Sequence, residues 1–252
     1  MRYFVLGTVL ALGSPVAAQD SPPQEDPAAI SKSLAIDALD RMAAHLRSLD
    51  SFEVNAEVVA EEVFTNGEKL QFLNHVRYVV DRPGKLYVSL RSDRKYRRVY
   101  FDGQNLTITA PTTGYYTSTP MTGTIRELLD QASDKYGIEI PLDNLFRWGT
   151  EDADMPVPSD ALLIGFSQID DHPTDHYFFR AEGVDWQVWI GREDNLPHRL
   201  VITNTEDEAQ PVYAANLDWT LAPEPSASQF TFLPTENDKF VQLRPEQVAA
   251  AQ

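Results

Sequence analysis

The sequence predicts a mainly β fold: an eleven-stranded antiparallel sheet, curved into an incomplete barrel, with covering helices. Three observations predict it. From Phe52 to Leu221, apolar residues recur with a period of two in runs of strand length, and turn pairs such as Asn66-Gly67, Pro83-Gly84, Asp102-Gly103 and Glu182-Gly183 separate the runs. Helical periodicity is confined to a stretch before the strands and one in their middle, so helices do not alternate with strands as βαβ units require. A sheet this wide accumulates too much twist to stay flat and curls.

The N-terminus reads as an export signal. Met1 to Ala18 has one positive charge, Arg2, then the apolar run Tyr3 to Leu12 and the small-residue end Val16-Ala17-Ala18. That run falls short of the roughly 20 apolar residues of a membrane span, so cleavage after Ala18 is expected and no transmembrane segment remains afterwards. Residues 19–27, polar and Pro-rich, form a flexible leader, and 28–252 form a single domain ending in a polar tail.

Asp26-Pro27 supplies an N-cap and a first-turn proline for an amphipathic helix to Leu49, with Ala35, Leu39, Met42, Leu46 and Leu49 on one face. Strands then follow from Phe52, from Phe72, from Leu86, over Arg94 to Phe101, at Leu106 to Ile108 and over Tyr115 to Thr119. A capping box, Thr124 to Glu127, opens a second helix that Gly137 closes, and a short helical turn follows Pro141. Thr150 to Asp160 is a loop. Four further strands lie over Leu162 to Ile169, His176 to Ala181, Trp186 to Ile190 and Arg199 to Thr203, with Asp170 to Pro173 and Gly191 to Pro197 as turns. An eleventh covers Pro211 to Leu221, and Phe230 to Leu233 is a last apolar run.

Composition narrows the function. A formal net charge of −17, or −18 without Arg2, repels nucleic-acid phosphates and favours solubility. The absence of cysteine removes lipid attachment at a cleaved signal, disulfides and thiolate chemistry. The sequence carries no Gly-x-Ser-x-Gly elbow, His-Glu-x-x-His pair, phosphate loop or dinucleotide fingerprint. Acidic pairs such as Glu61-Glu62 and Asp170-Asp171 are expected on a surface with 38 Asp and Glu residues. A non-enzymatic protein is expected, and no cofactor is assigned.

The inward face is expected to carry Phe72, Val76, Tyr78, Leu86, Val88, Phe101 and Ile108 from the first half. Phe166, Tyr177, Phe179, Trp186, Val188, Leu200, Leu217 and Trp219 join them from the second. Either they line an apolar ligand cavity, or they pack against each other and the helices as a closed core. Outside them, Arg91, Arg94, Lys95, Arg97 and Arg98 against Asp93 break the acidic background with a net +4 in eight residues. Arg94, Arg98, Tyr96 and Tyr100 on one strand face suit a lipid headgroup or an acidic partner; the bland alternative is an edge strand protected by charge, or ion pairing. His172, Asp175 and His176 lie close in sequence, but a turn running into a strand does not bring them to one point, so no metal set is assigned.

The layout resembles the LolA/LolB-like lipoprotein-carrier superfamily of the bacterial envelope: signal peptide, helix, eleven-stranded incomplete barrel and covering helices. More closely, Tyr115 to Phe146, Asp171 to Thr203, Tyr213 to Trp219 and Phe230 to Pro234 resemble a family of predicted periplasmic proteins of unknown function. The resemblance implies a periplasmic protein that is soluble and, lacking cysteine, not lipidated, closer to the soluble shuttle than to LolB. By analogy it implies a carrier or binding protein for a lipid, acyl chain or other apolar ligand, with Ile125 to Tyr136 and Thr150 to Asp160 as moving parts of a lid. The alternative by the same analogy is an envelope protein-interaction or regulatory module with a packed interior and a protein partner.

Overall fold

In the computed structural model, described over residues 26–147 and 157–245, the apolar alternation becomes one twelve-stranded sheet. The expected signal, most of the leader, residues 150–156 of the expected loop and the end of the tail lie outside the described residues. Helix α1, Pro27–Ser48, starts at the Asp26 cap, whose side chain accepts the Ala28 N–H at 3.1 Å. Strands β1, Ser51–Val63, and β2, Lys69–Asp81, form a long hairpin; β3, Lys85–Ser92, β4, Tyr96–Phe101, β5, Asn105–Ala110, and β6, Tyr115–Pro120, continue the meander. Helix α2, Ile125–Tyr136, has the expected Thr124/Glu127 capping box and Gly137 cap, and α3 spans Asn144–Arg147. Strands β7, Asp160–Ile169, β8, His172–Ala181, β9, Val184–Gly191, β10, Pro197–Asn204, and β11, Val212–Leu221, form the second half.

With a two-residue strand β12, Lys239–Phe240, the sheet order is β12-β6-β5-β4-β3-β2-β1-β11-β10-β9-β8-β7, so β1 joins the halves by pairing with both β2 and β11. Inward side chains meet across this seam in rows. Val58, Ala215, Leu200, Val188, Tyr177 and Leu163 lie opposite one another in successive strands. The rows pack under Ala35, Ala38, Met42, Ala43 and Leu46 of α1 and under Ile125, Leu128, Leu129 and Ala132 of α2. Each fully buried large apolar side chain contributes about 1.5–3 kcal/mol.

The covering helices are also tied by polar contacts. Ser31 Oγ accepts the Leu163 N–H at 2.9 Å and Lys32 Nζ donates to the Ser159 carbonyl at 2.8 Å, so α1 runs along the β7 edge. At the other side, the Ile125 N–H donates to the Pro83 carbonyl at 2.9 Å. Gly84 permits that docking, since a Cβ there would stand 2.8 Å from the Gly123 carbonyl oxygen.

Three sequence expectations change, and the last apolar run gains a place. A twelfth strand, β12, Lys239–Phe240, pairs parallel to β6 within the expected polar tail. The last apolar run packs on the outer side: a 3-10 turn, Ala227–Phe230, places Phe230 and Phe232 outside the sheet against Val79, Tyr87 and Tyr100. Strand β8 begins at His172, because the turn needs only Asp170 and Asp171, with Asp170 in left-handed conformation (φ 49°). Strand β4 begins at Tyr96 and lies between β3 and β5, so it is no edge strand.

Candidate ligand cleft and surface sites

Most residues expected to line a cavity instead form the closed core. Val76, Tyr78, Leu86, Val88, Phe101, Tyr177, Phe179, Trp186, Val188, Leu200 and Leu217 are buried in one cluster, with Ile108 and Trp219 half-buried against it. The rings of Phe179 and Trp186 stack at 5.3 Å, and Phe146, carried in by α3, fills the space beside Tyr78 and Phe52 at 5.7 and 6.1 Å. Phe72 sits apart, half-buried at the tip of the β1–β2 hairpin, with Phe64 beside it and the Arg94 guanidinium 3.8 Å over its ring. Phe166 is a correction. A register shift between Leu163 and Gly165 breaks the alternation of β7, a sheet edge, and leaves Phe166 65% exposed beside Arg192.

What stays open next to the core is a cleft of about 600 Å³. Its apolar walls are Leu129 of α2, Ile138, Ile140 and Leu142 of the connection to α3, and the cross-strand pair Ile202 and Tyr213. Lys95, Glu139, Asp143 and Arg147 give it polar groups. None of the expected cavity residues is among these. Ile202 was legible, two residues beyond Leu200 in the same alternation, whereas the connection after α2 carried no periodic signal.

Two tyrosines stand at the cleft, Tyr78 fully buried and Tyr213 partly buried. The Tyr78 hydroxyl donates to the Pro141 carbonyl, pinning the connection to β2. Burial raises the Tyr78 hydroxyl well above the usual tyrosine range, with Tyr213 and Asp143 adding to it. Burial first and Asp143 second raise Tyr213 too, and its hydroxyl has no hydrogen-bond partner among the described residues. Both therefore stay neutral. Arg147 bridges Asp130 of α2 at 2.9 Å and Asp143 at 3.0 Å, holding α3 against α2. α2 itself, with Leu128 and Ala132 fully buried, is a seated cover.

One cation of the basic stretch is paired with a carboxylate among the described residues. Arg94, in the turn before β4, forms an ion pair with Glu62, so it does not extend the strand face with Tyr96 and Arg98. Arg98 Nε donates to the Tyr96 hydroxyl at 2.7 Å. Tyr100 is covered by Phe232, centroids 5.7 Å apart, and cannot serve as a contact. Beside these residues runs an outer-face groove of about 510 Å³ that includes Glu57, His75, Arg77, Arg91, Tyr96 and Asp218. Farther round the sheet, His176 stacks on Trp189 at 3.9 Å and Asp175 pairs with Arg192 at 3.4 Å. Burial lowers the His176 imidazole below its usual value despite its bond to Gln187. His172 therefore meets neither of its sequence neighbours; its ring stacks on His198 at 4.0 Å.

Against known proteins, residues 35–244 match the family described as "Predicted periplasmic protein (DUF2092)". No curated protein matches in sequence. Among solved structures, LprF from Mycobacterium bovis aligns at 13% identity and TM-score 0.47, over 77% of this chain and 96% of that one. A LolA superfamily protein from Nitrosomonas europaea aligns at 14% identity and TM-score 0.35, over 79% and 97%. The Pseudomonas aeruginosa MucA/MucB complex aligns at 15% identity and TM-score 0.38, over 79% and 60%. The chain thus spans about three fifths of that matched chain.

Proposed function

Since the chain belongs to the DUF2092 family of predicted periplasmic proteins, we propose that it is a non-enzymatic carrier or binding protein for a lipid, an acyl chain or another apolar ligand. The observation that carries this reading is the cleft between Leu129, Ile138 to Leu142, Ile202 and Tyr213. Its volume of about 600 Å³ lies within the range of small-molecule sites, roughly 300–1,000 Å³. Apolar walls with few polar groups suit a hydrocarbon chain carrying a polar end. Burying about 300 Å² of that chain would gain about 7–8 kcal/mol before the cost of lost freedom. No catalytic group is needed for that gain. Lys95 and Arg147 supply positive charge for an anionic end, and Arg147 is already shared by two carboxylates.

The test is titration with a fluorescent fatty acid, with native mass spectrometry on protein purified gently from an exported source. Saturable binding of one acyl probe per chain supports the reading. Absence of both bound lipid and probe binding ends it.

A second reading rests on the outer-face groove beside Arg91 and Tyr96. Its mixed charges suit a polar protein surface better than a lipid. In that reading the closed core is scaffold, and Arg98→Glu with Arg91→Glu abolishes partner binding without touching acyl binding.

A further inference from the structure

At the other end of β10 from Ile202, three side chains from separate segments meet. His172 opens β8, Asp194 lies in the turn after β9, and His198 falls in the register shift between Pro197 and Arg199. A bulge of this kind re-aims a side chain, and here it turns His198 towards His172, ring centroids 4.0 Å apart and 18° from parallel. One ligand atom from each of the three residues lies within 4.8 Å of the other two. Gly191 makes the meeting possible: a Cβ there would stand 2.0 Å from Asp194 Oδ1 and 2.9 Å from His198 Nε2.

We propose that His172, Asp194 and His198 form a binding site for a divalent transition-metal cation of the zinc class. His198 Nε2 and Asp194 Oδ2 are 2.9 Å apart. Two ligand atoms each about 2.0–2.1 Å from one cation stand about 2.9–3.4 Å apart, so this pair already has the bite of a chelate. His172 is exposed, and binding requires its ring to turn until a nitrogen reaches the same cation. Two imidazoles with one carboxylate favour zinc-like ions over magnesium or calcium, which take all-oxygen sets. Asp194 is held in place, its Oδ1 accepting the Leu196 N–H at 3.0 Å.

A second observation points to the same place. Thr174, 0% exposed, lies opposite Gly191 on the face that His172 shares, and its Oγ1 has no hydrogen-bond partner among the described residues. Buried hydroxyls are normally satisfied. Three protein ligands leave a coordination position for water, and a bound water gives Thr174 the partner it lacks. Asp170 and Asp171 before His172, and Glu193 before Asp194, add negative charge along the chain around the cation.

The test is Zn²⁺ titration of untagged, chelator-stripped protein in competition with a chromogenic chelator. Variants are His172→Ala, which removes an exposed ring, and Asp194→Asn, which keeps an oxygen for the Leu196 N–H. His75→Ala, the other imidazole beside a carboxylate at 4.0 Å, is the control. The proposal expects one Zn²⁺ per chain, a Zn²⁺-dependent rise in Tm, and at least tenfold weaker binding in both site variants but not in the control. It is overturned if the site variants bind like the parent, or if His75→Ala loses as much as they do.

Discussion

Tyr78, fully buried on β2, donates its hydroxyl hydrogen to the carbonyl oxygen of Pro141, so the wall of the cleft hangs from the middle of the sheet. Tyr78→Phe keeps the ring against Phe146 and leaves that carbonyl without its donor. The expected loss is about 1–2 kcal/mol. A lower urea midpoint at unchanged slope checks it, with faster amide exchange at Leu142, Leu145 and Phe146 than in β2.

On the outer face, Glu53 and Arg77 form a two-pronged pair across β1 and β2, at 2.6 and 2.8 Å. The Arg77 hydrogen bonds hold the Glu53 carboxyl below its usual value of 4.5, against opposing desolvation. A depressed folded-state pKa gives stability that is present above the unfolded value and lost as pH falls through the folded one. Arg77 is partly exposed, so solvent screens the pair and its worth is about 1 kcal/mol or less. Thermal melts should place Glu53→Gln below the parent at pH 7, the gap closing as the pH falls from 4.5 through the lowered folded-state value. A gap independent of pH refutes the assignment.

The sheet was legible because period-two alternation and turn pairs are local signals. Asn66-Gly67, Asp102-Gly103 and the Thr124/Glu127 box each act within a few residues of chain, and each stands where expected. The cleft was not legible, because its outer wall is Ile138 to Leu142, a connection without periodicity whose position depends on a hydrogen bond to a residue over sixty positions earlier. The His172/His198 pairing was hidden for a related reason. A bulge and a side-chain-free Gly191 bring together residues from strands that are not neighbours. Phe166 was misplaced because alternation carries no mark of the register shift before it.

The C-terminal segment acts as an outer strap. Phe230, 1% exposed, packs with Val79, Tyr87 and Tyr100 on the side of the sheet away from the main core. Phe230→Ala should cost about 3 kcal/mol. The variant should also release β12, the two-residue pairing beyond it. Limited proteolysis after Lys239 measures that release: cleavage should be faster in the variant at temperatures where β1 and β2 remain protected. Equal cleavage rates would detach β12 from the strap.

The carrier reading turns on one wall of the cleft. Ile202, half-buried on β10 and paired with Tyr213, packs against the core and also borders the open volume, so a larger side chain can occupy space a ligand would use. Ile202→Trp should weaken a fluorescent fatty acid at least tenfold, about 1.4 kcal/mol, while moving Tm by only a few degrees. Phe179→Ala is the counterpart. It hollows the core away from the cleft and should cost about 3–5 kcal/mol of stability, with acyl affinity unchanged at temperatures where the variant is folded. If the two effects exchange places, and Phe179→Ala alters affinity while Ile202→Trp does not, the ligand enters the core between the sheet and α1, and the cleft is only its surface expression.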